Sequence, residues 1–164
     1  MLTLRGLALV AIAAVAAGCA PASVRAPSSV DGSPAPRGPE AARDVVVMAV
    51  SLIGVPYRNG GTSPDVGFDC SGLVWYVYRQ AAGLVLPRST GELGRAGHPV
   101  EVDDMRPGDL VFYNTLGRTF SHVGIYIGER RFVHAPSSGG AVEIVSMQNT
   151  YWARRFSGAR RVAT

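Results

Sequence analysis

Between Glu40 and Ile53 the apolar residues Ala42, Val45, Val46, Ala49 and Ile53 recur at helical spacing until Gly54 and Pro56 interrupt them, which predicts a first helix. The stretch "GVPYRNGGTSPDVGF" at 54–68 is rich in glycine and broken by proline, and reads as a loop. Leu73, Val74, Val77, Tyr78 and Ala81, followed by Gly83, restore the helical period and predict a second helix from Cys70 to about Ala82, beginning at or just after Asp69. Ser89 and Glu92 have capping-box spacing, so a short third helix is expected before Gly97. After Pro107 and Gly108 the texture changes. Residues 109–113, 121–127, 131–134, 141–146 and about 155–162 are short, rich in β-branched and aromatic side chains, and separated by Gly, Ser and Asn, as strands are. Helices first and strands second predict an α+β domain, with N-terminal helices packed on an antiparallel sheet of about five to six strands.

Ahead of this domain the pattern has no period. Arg5 precedes an apolar run from Leu7 to Ala17 that ends in "AAGC". The run is shorter than the roughly 20 residues that span a bilayer, and its charged start and small-residue end predict a secretory signal over residues 1–18. The small residues before Cys19 resemble the lipobox of bacterial lipoproteins, with Ala16 where leucine is usual; the resemblance implies cleavage before Cys19 and lipid attachment to it. Ordinary signal cleavage nearby is the alternative. Ala20 is not the aspartate of inner-membrane retention, so the expectation is an exported protein anchored in the outer membrane and facing the periplasm. Residues 19–39, rich in Pro, Ser, Ala and Gly, cannot bury enough surface to offset chain entropy and predict a tether. As a coil it would reach about 25 Å. Residues 40–164 are enough for one domain and too few for two, and a monomer is expected.

The formal charge of +4 rests on sixteen arginines with no lysine, several of them late in the chain at Arg130, Arg131, Arg154, Arg155, Arg160 and Arg161. Outside the cytoplasm, an anionic wall polymer or a lipid surface suits that charge better than nucleic acid; a merely solvated basic face is the other reading.

With Cys19 given to lipid, Cys70 has no intramolecular mate in an oxidising compartment, which calls for a reason. A helix N-terminus offers amide N–H groups and partial positive charge that favour a thiolate, and the same amides can bind an oxyanion. The competing reading is a small buried hydrophobe. A base would decide between them, and His122 and His134 lie in predicted strands with Gly128 midway. An odd-length turn centred on Gly128 would set the two imidazoles side by side on one face, away from Val123, Ile125 and Ile127, with the small Gly124 leaving room; an even two-residue turn would separate them. One imidazole could then take the thiol proton while the other orients it. His98, in a proline-flanked connection, reads as structural or exposed. The three side chains could alternatively hold zinc, but no two lie on one helical turn as close ligands do, so neither a metal nor an organic cofactor is expected.

"GVPYRNGG", "FDCSGLVWYVY", "LPRST", "RPGDLVFY", "SHVGIYIG" and "FVHAPSSGG" occur in the order and approximate spacing of the NlpC-type family of papain-like cell-wall peptidases, which residues 42–146 resemble. The resemblance implies a papain-like half-domain that cuts amide bonds in peptidoglycan stem peptides or cross-links. It implies Cys70 as nucleophile, His122 as general base and acid, and His134 as the orienting third member. It also implies Tyr57 beside the Cys70 amide at the oxyanion site, Asp69 and Ser71 facing substrate, and Arg88 and Ser89 lining the groove. Asp69 reads equally well as a plain helix cap, and Tyr57 as a loop aromatic packed on the first helix. The family often follows the Arg-Ser segment with a glutamine, where Gly91, Glu92 and Leu93 stand here. An amidase or acyltransferase on the same scaffold, or a non-catalytic wall-binding lipoprotein, are the alternatives.

Overall fold

The computed structural model describes residues 38–137 and 139–162; the expected signal, Cys19 lipidation site and nearly all of the tether lie outside them. The first helix, α1, runs Pro39–Ser51 with proline in its first turn, where the ring costs no hydrogen bond. Its buried stripe is Ala41, Val45 and Ala49, continued by Leu52. The expected Ile53 lies beyond the helix end and is 45% exposed, a one-residue rotation that the crowded apolar sequence did not reveal.

Most of the expected loop at 54–68 is loop, but it contains a miniature antiparallel ribbon, β1 (Thr62–Ser63) and β2 (Gly67–Phe68). The second helix, α2, spans Cys70–Ala82 as the periodicity predicts, with Asp69 as N-cap and Gly83 in the left-handed conformation at its end. Its apolar side, including Leu73, Val74 and Val77, joins the α1 stripe in one buried cluster. Tyr78 crosses that core to donate its hydroxyl hydrogen to the Gly108 carbonyl. The short α3 (Thr90–Leu93) starts at Ser89, whose hydroxyl accepts from the Glu92 amide and donates to its carboxylate.

Six antiparallel strands form the sheet: β3 (His98–Val100), β4 (Leu110–Tyr113), β5 (His122–Gly128), β6 (Arg131–His134), β7 (Glu143–Ser146) and β8 (Phe156–Arg161), in the order β3-β8-β4-β5-β6-β7. The α+β expectation and the strand number are met. β3 is the strand the sequence hid, because Pro99 sits in its middle; proline is tolerated there because β3 is an edge. His98 lies on it and is exposed.

Alternation along the strands makes two faces. Leu110, Phe112, Val123, Ile125 and Val133 meet α1 and α2. Val111, Tyr113, Tyr126, Phe132 and Ala159 form a second buried cluster on the other face, against which α4 (Thr150–Ala153) lays Trp152. At the β4 entrance, buried Asp109 accepts from Arg161 Nε and Nη2, both at 2.8 Å, fastening β4 to the end of β8.

Candidate active site

Cys70 opens α2 because Asp69 caps it: the Asp69 carboxylate accepts from the Gly72 amide at 2.6 Å, satisfying one of the unpaired donors of the first turn. The glycine loop presses directly on that turn. A Cβ on Gly72 would collide with the Gly61 carbonyl oxygen, so glycine here is a condition of the close approach. The Asp69 amide in turn donates to the Gly61 carbonyl at 3.2 Å. The sulfur is approached by the amides of Val123, Ser71 and Cys70 itself, and Cys70 packs with the cluster that contains Val123. The thiol therefore stands at the N-terminal end of β5, beside the strand position that follows His122.

His122 and His134 share a face, as expected, but by a different route. The β5–β6 turn has two residues, Glu129 and Arg130, with φ of 51° and 53°. Alone, that even turn would put the imidazoles on opposite faces. A bulge between Tyr126 and Gly128 adds one residue to β5 and restores the parity. The pairs Tyr126–Phe132 and Ile125–Val133, continued by one residue, set His134 across from Gly124 and leave His122 diagonal to it. The room beside Gly124 is taken by the Phe132 ring, with which a Cβ would collide. Rings reach across the diagonal: the centroids are 5.0 Å apart at 82°, and His122 Nε2 lies 3.0 Å from His134 Nδ1. With Nε2 so engaged, Nδ1 is the His122 nitrogen left for other chemistry.

Trp152 closes over both imidazoles, 5.4 Å from His122 and 4.8 Å from His134 between ring centroids. Its four-residue helix is too short to show a period in the sequence, and Trp152 was not among the expected site residues. Burial under this ring holds His122 down to about 4. Burial, then the neighbouring His122, holds His134 down to about 3. Both imidazoles are neutral at neutral pH. Burial first and the Asp69 carboxylate second push the Cys70 thiol up, against the three amides that favour the anion. Against the expectation of a thiolate favoured by the helix tip, burial and the capping carboxylate hold the thiol up in the resting fold.

Asp69, Ser71 and Arg88 form one network. Arg88 makes a forked contact with Asp69, Nη1 to Oδ1 at 3.2 Å and Nη2 to Oδ2 at 3.1 Å, while Nη1 also donates to Ser71 Oγ at 3.0 Å. Ser71 Oγ donates to Asp69 Oδ1 at 3.1 Å, and the Gly60 amide donates to Oδ2 at 3.0 Å. Burial alone would raise Asp69, but Arg88, the Gly72 amide and Ser71 overcome it and hold the carboxyl below its ordinary range. Ser89 takes no part in this network; its hydroxyl is occupied at the α3 cap. Tyr57, half-buried and bridged to Phe68, has its hydroxyl held up by burial and then by the charges of Cys70 and Asp69. Among the described residues no group of three or more His, Cys, Asp or Glu side chains has metal-holding geometry. A cavity of about 670 Å³ between α1, Arg106 and Arg161 contains none of these residues.

Comparison with known families matches residues 54–161 to the NlpC/P60 family. The chain belongs to the NlpC/P60 family. It is 46% identical over 115 residues to murein DD-endopeptidase MepH of Escherichia coli, covering 68% of this chain and 42% of that protein. To the Escherichia coli protein named murein DD-endopeptidase MepS/murein LD-carboxypeptidase it is 49% identical over 109 residues, covering 66% and 56%. The chain thus spans about half the length, or less, of these curated relatives. Among solved structures, an NlpC/P60 family protein from Bacillus cereus superposes with a TM-score of 0.71 at 32% identity, over 79% of this chain and 42% of that one. The peptidoglycan hydrolase RipB from Mycobacterium tuberculosis does so with 0.64 at 32% identity, over 76% and 65%. NlpC/P60 membership accounts for the helix-on-sheet architecture.

Proposed function

We propose that this protein is a cysteine peptidase that hydrolyses an amide bond in the stem peptides or cross-links of peptidoglycan. The observation that carries the reading is the 3.0 Å contact of His122 Nε2 with His134 Nδ1, next to a strand residue whose amide approaches the Cys70 sulfur. Membership of a family whose relatives are named murein endopeptidases supports the substrate class.

The mechanism starts from a neutral pair. As the Cys70 sulfur attacks the scissile carbonyl, His122 Nδ1 takes its proton, so charge separation develops only along the reaction coordinate. The Cys70 amide and the Tyr57 hydroxyl stabilise the oxyanion. His122 then protonates the leaving amine, a thioester forms, and water activated by His122 releases the acid. Arg88, partly exposed above Asp69, and Ser71 line the substrate side of the sulfur. Residues 1–39 export the chain and anchor it by lipid on Cys19 at the outer membrane, within tether reach of the wall.

Cys70→Ala is expected to abolish cleavage of isolated sacculi while leaving the melting transition in place; undiminished cleavage would remove Cys70 from the chemistry. Mass spectrometry of digested muropeptides separates the endopeptidase reading from an amidase or acyltransferase, because each leaves a different new terminus.

A further inference from the structure

The imidazole pair has an unsettled feature on its far side. His134 is fully buried, and its Nε2 has no hydrogen-bond partner among the described residues. A buried ring nitrogen left unpaired is costly. Glu143, the residue directly opposite His134 in the β6–β7 register, places its Oε1 3.5 Å from that nitrogen. Glu143 sits on the outer strand and is 53% exposed.

An ionised carboxylate only accepts hydrogen bonds, whereas a neutral imidazole has one donating and one accepting nitrogen. The His122–His134 contact therefore has two proton orders. In one, His134 carries its proton on Nε2 and accepts at Nδ1 from His122 Nε2–H, leaving His122 Nδ1 as a bare lone pair. In the other, His134 donates from Nδ1, His122 carries its proton on Nδ1, and His134 turns a lone pair toward a carboxylate. Only the first order gives His122 a base that can receive the Cys70 proton.

We propose that Glu143 is a positioning residue that selects the first order: its carboxylate holds the proton on His134 Nε2 and, through His134, fixes the tautomer of His122. The line runs Glu143, His134, His122 and, in the peptidase reading, on to Cys70. The 3.5 Å separation is a loose contact that shortens as positive charge develops on the pair during proton transfer from the thiol. Every transfer is internal, since the proton that leaves sulfur arrives at His122 Nδ1 while those on the two Nε2 atoms stay shared with their acceptors. Trp152 and Phe132 pack on the same imidazole and offer its Nε2 no acceptor. The inference rests on the peptidase reading for its consequence, not for its test.

In Cys70→Ala protein with ¹⁵N-labelled histidine, nitrogen spectra at neutral pH are expected to show His122 protonated on Nε2 and bare on Nδ1. Adding Glu143→Ala is expected to bring in the Nδ1–H form; unchanged tautomer populations would overturn the proposal. In protein retaining Cys70, Glu143→Ala is expected to lower kcat on muropeptides by about ten- to a hundredfold, the cost typical of removing the outer partner of a metal-bound imidazole. KM and Tm should stay near those of the parent. Glu143→Gln, which keeps an accepting carbonyl without the charge, should fall between. Parental kcat in Glu143→Ala also overturns it. If the parent cleaves nothing, the peptidase reading fails, and the tautomer spectra still judge Glu143.

Discussion

Asp69 does three things at the start of α2. It caps α2 through the Gly72 amide, binds Arg88 and Ser71, and opposes ionisation of Cys70. Replacing the carboxylate by an amide separates these effects. Asp69→Asn keeps an oxygen for the Gly72 amide, and asparagine is as good an N-cap as aspartate, but the negative charge goes. The Cys70 thiol should then ionise more readily, and alkylation by iodoacetamide at neutral pH should run severalfold faster than in the parent. A slower or equal rate would mean that the charge of Asp69 does not reach the sulfur. Cys70 and the two histidines were visible in the sequence because each is a rare residue at a marked place, a helix start and two strands of matching parity. Trp152 and Glu143 were not visible. One is a lone aromatic in a stretch without a period, and the other an ordinary exposed glutamate; only the sheet order and the α4 fold-back bring them to the imidazoles.

The junction of α2 with the glycine loop sets the position of the sulfur. In an exposed helix, glycine to alanine stabilises by about 1 kcal/mol. At Gly72 the sign should reverse, because the added methyl meets the Gly61 carbonyl, a backbone atom that cannot rotate away. Gly72→Ala is expected to cost roughly 1–3 kcal/mol, as overpacking does, and to move the loop carrying Tyr57 and Gly60. Urea titration and sacculus cleavage would both register it; parental stability would show that the loop yields freely. Long periodic elements such as α1, α2 and β5 were readable because many positions repeat the same signal. The ribbon β1–β2, the strand β3 and the helix α4 have two to four residues each, too few for a period; β3 is defined by its pairing with the distant β8, and α4 is placed by the packing of Trp152 on the sheet. The bulge in β5 belongs to the same class. Parity correctly put both histidines on one face, but the even turn and the extra residue that together give that result are settled by sheet packing.

For the whole molecule, the buried imidazole pair links folding to acid. His122 and His134 have an ordinary value of 6.5 and are held down to about 4 and about 3 in the fold. Between those values the unfolded chain binds more protons than the folded one, so stability rises with pH there. The contribution is complete above about 6.5 and is lost as pH falls toward 4 and 3. Asp69, also held down, adds a loss at the acid end of that range. Tm should therefore drop progressively from pH 7 to pH 4, and the drop should shrink in His134→Asn. A flat Tm across this interval would contradict the burial of the pair.

The order of apolar and polar positions by itself determined the α+β class, the two long helices, five of the six strands and the helix-tip cysteine, because these follow from local periodicity and from the few residues that tolerate a helix start. Tertiary structure decided the ionisation of that cysteine and the company of its imidazoles. Whether a thiol is an anion depends on how deeply it is buried and which carboxylate ends up beside it, and those are sums over neighbours distant in the chain that no local pattern contains.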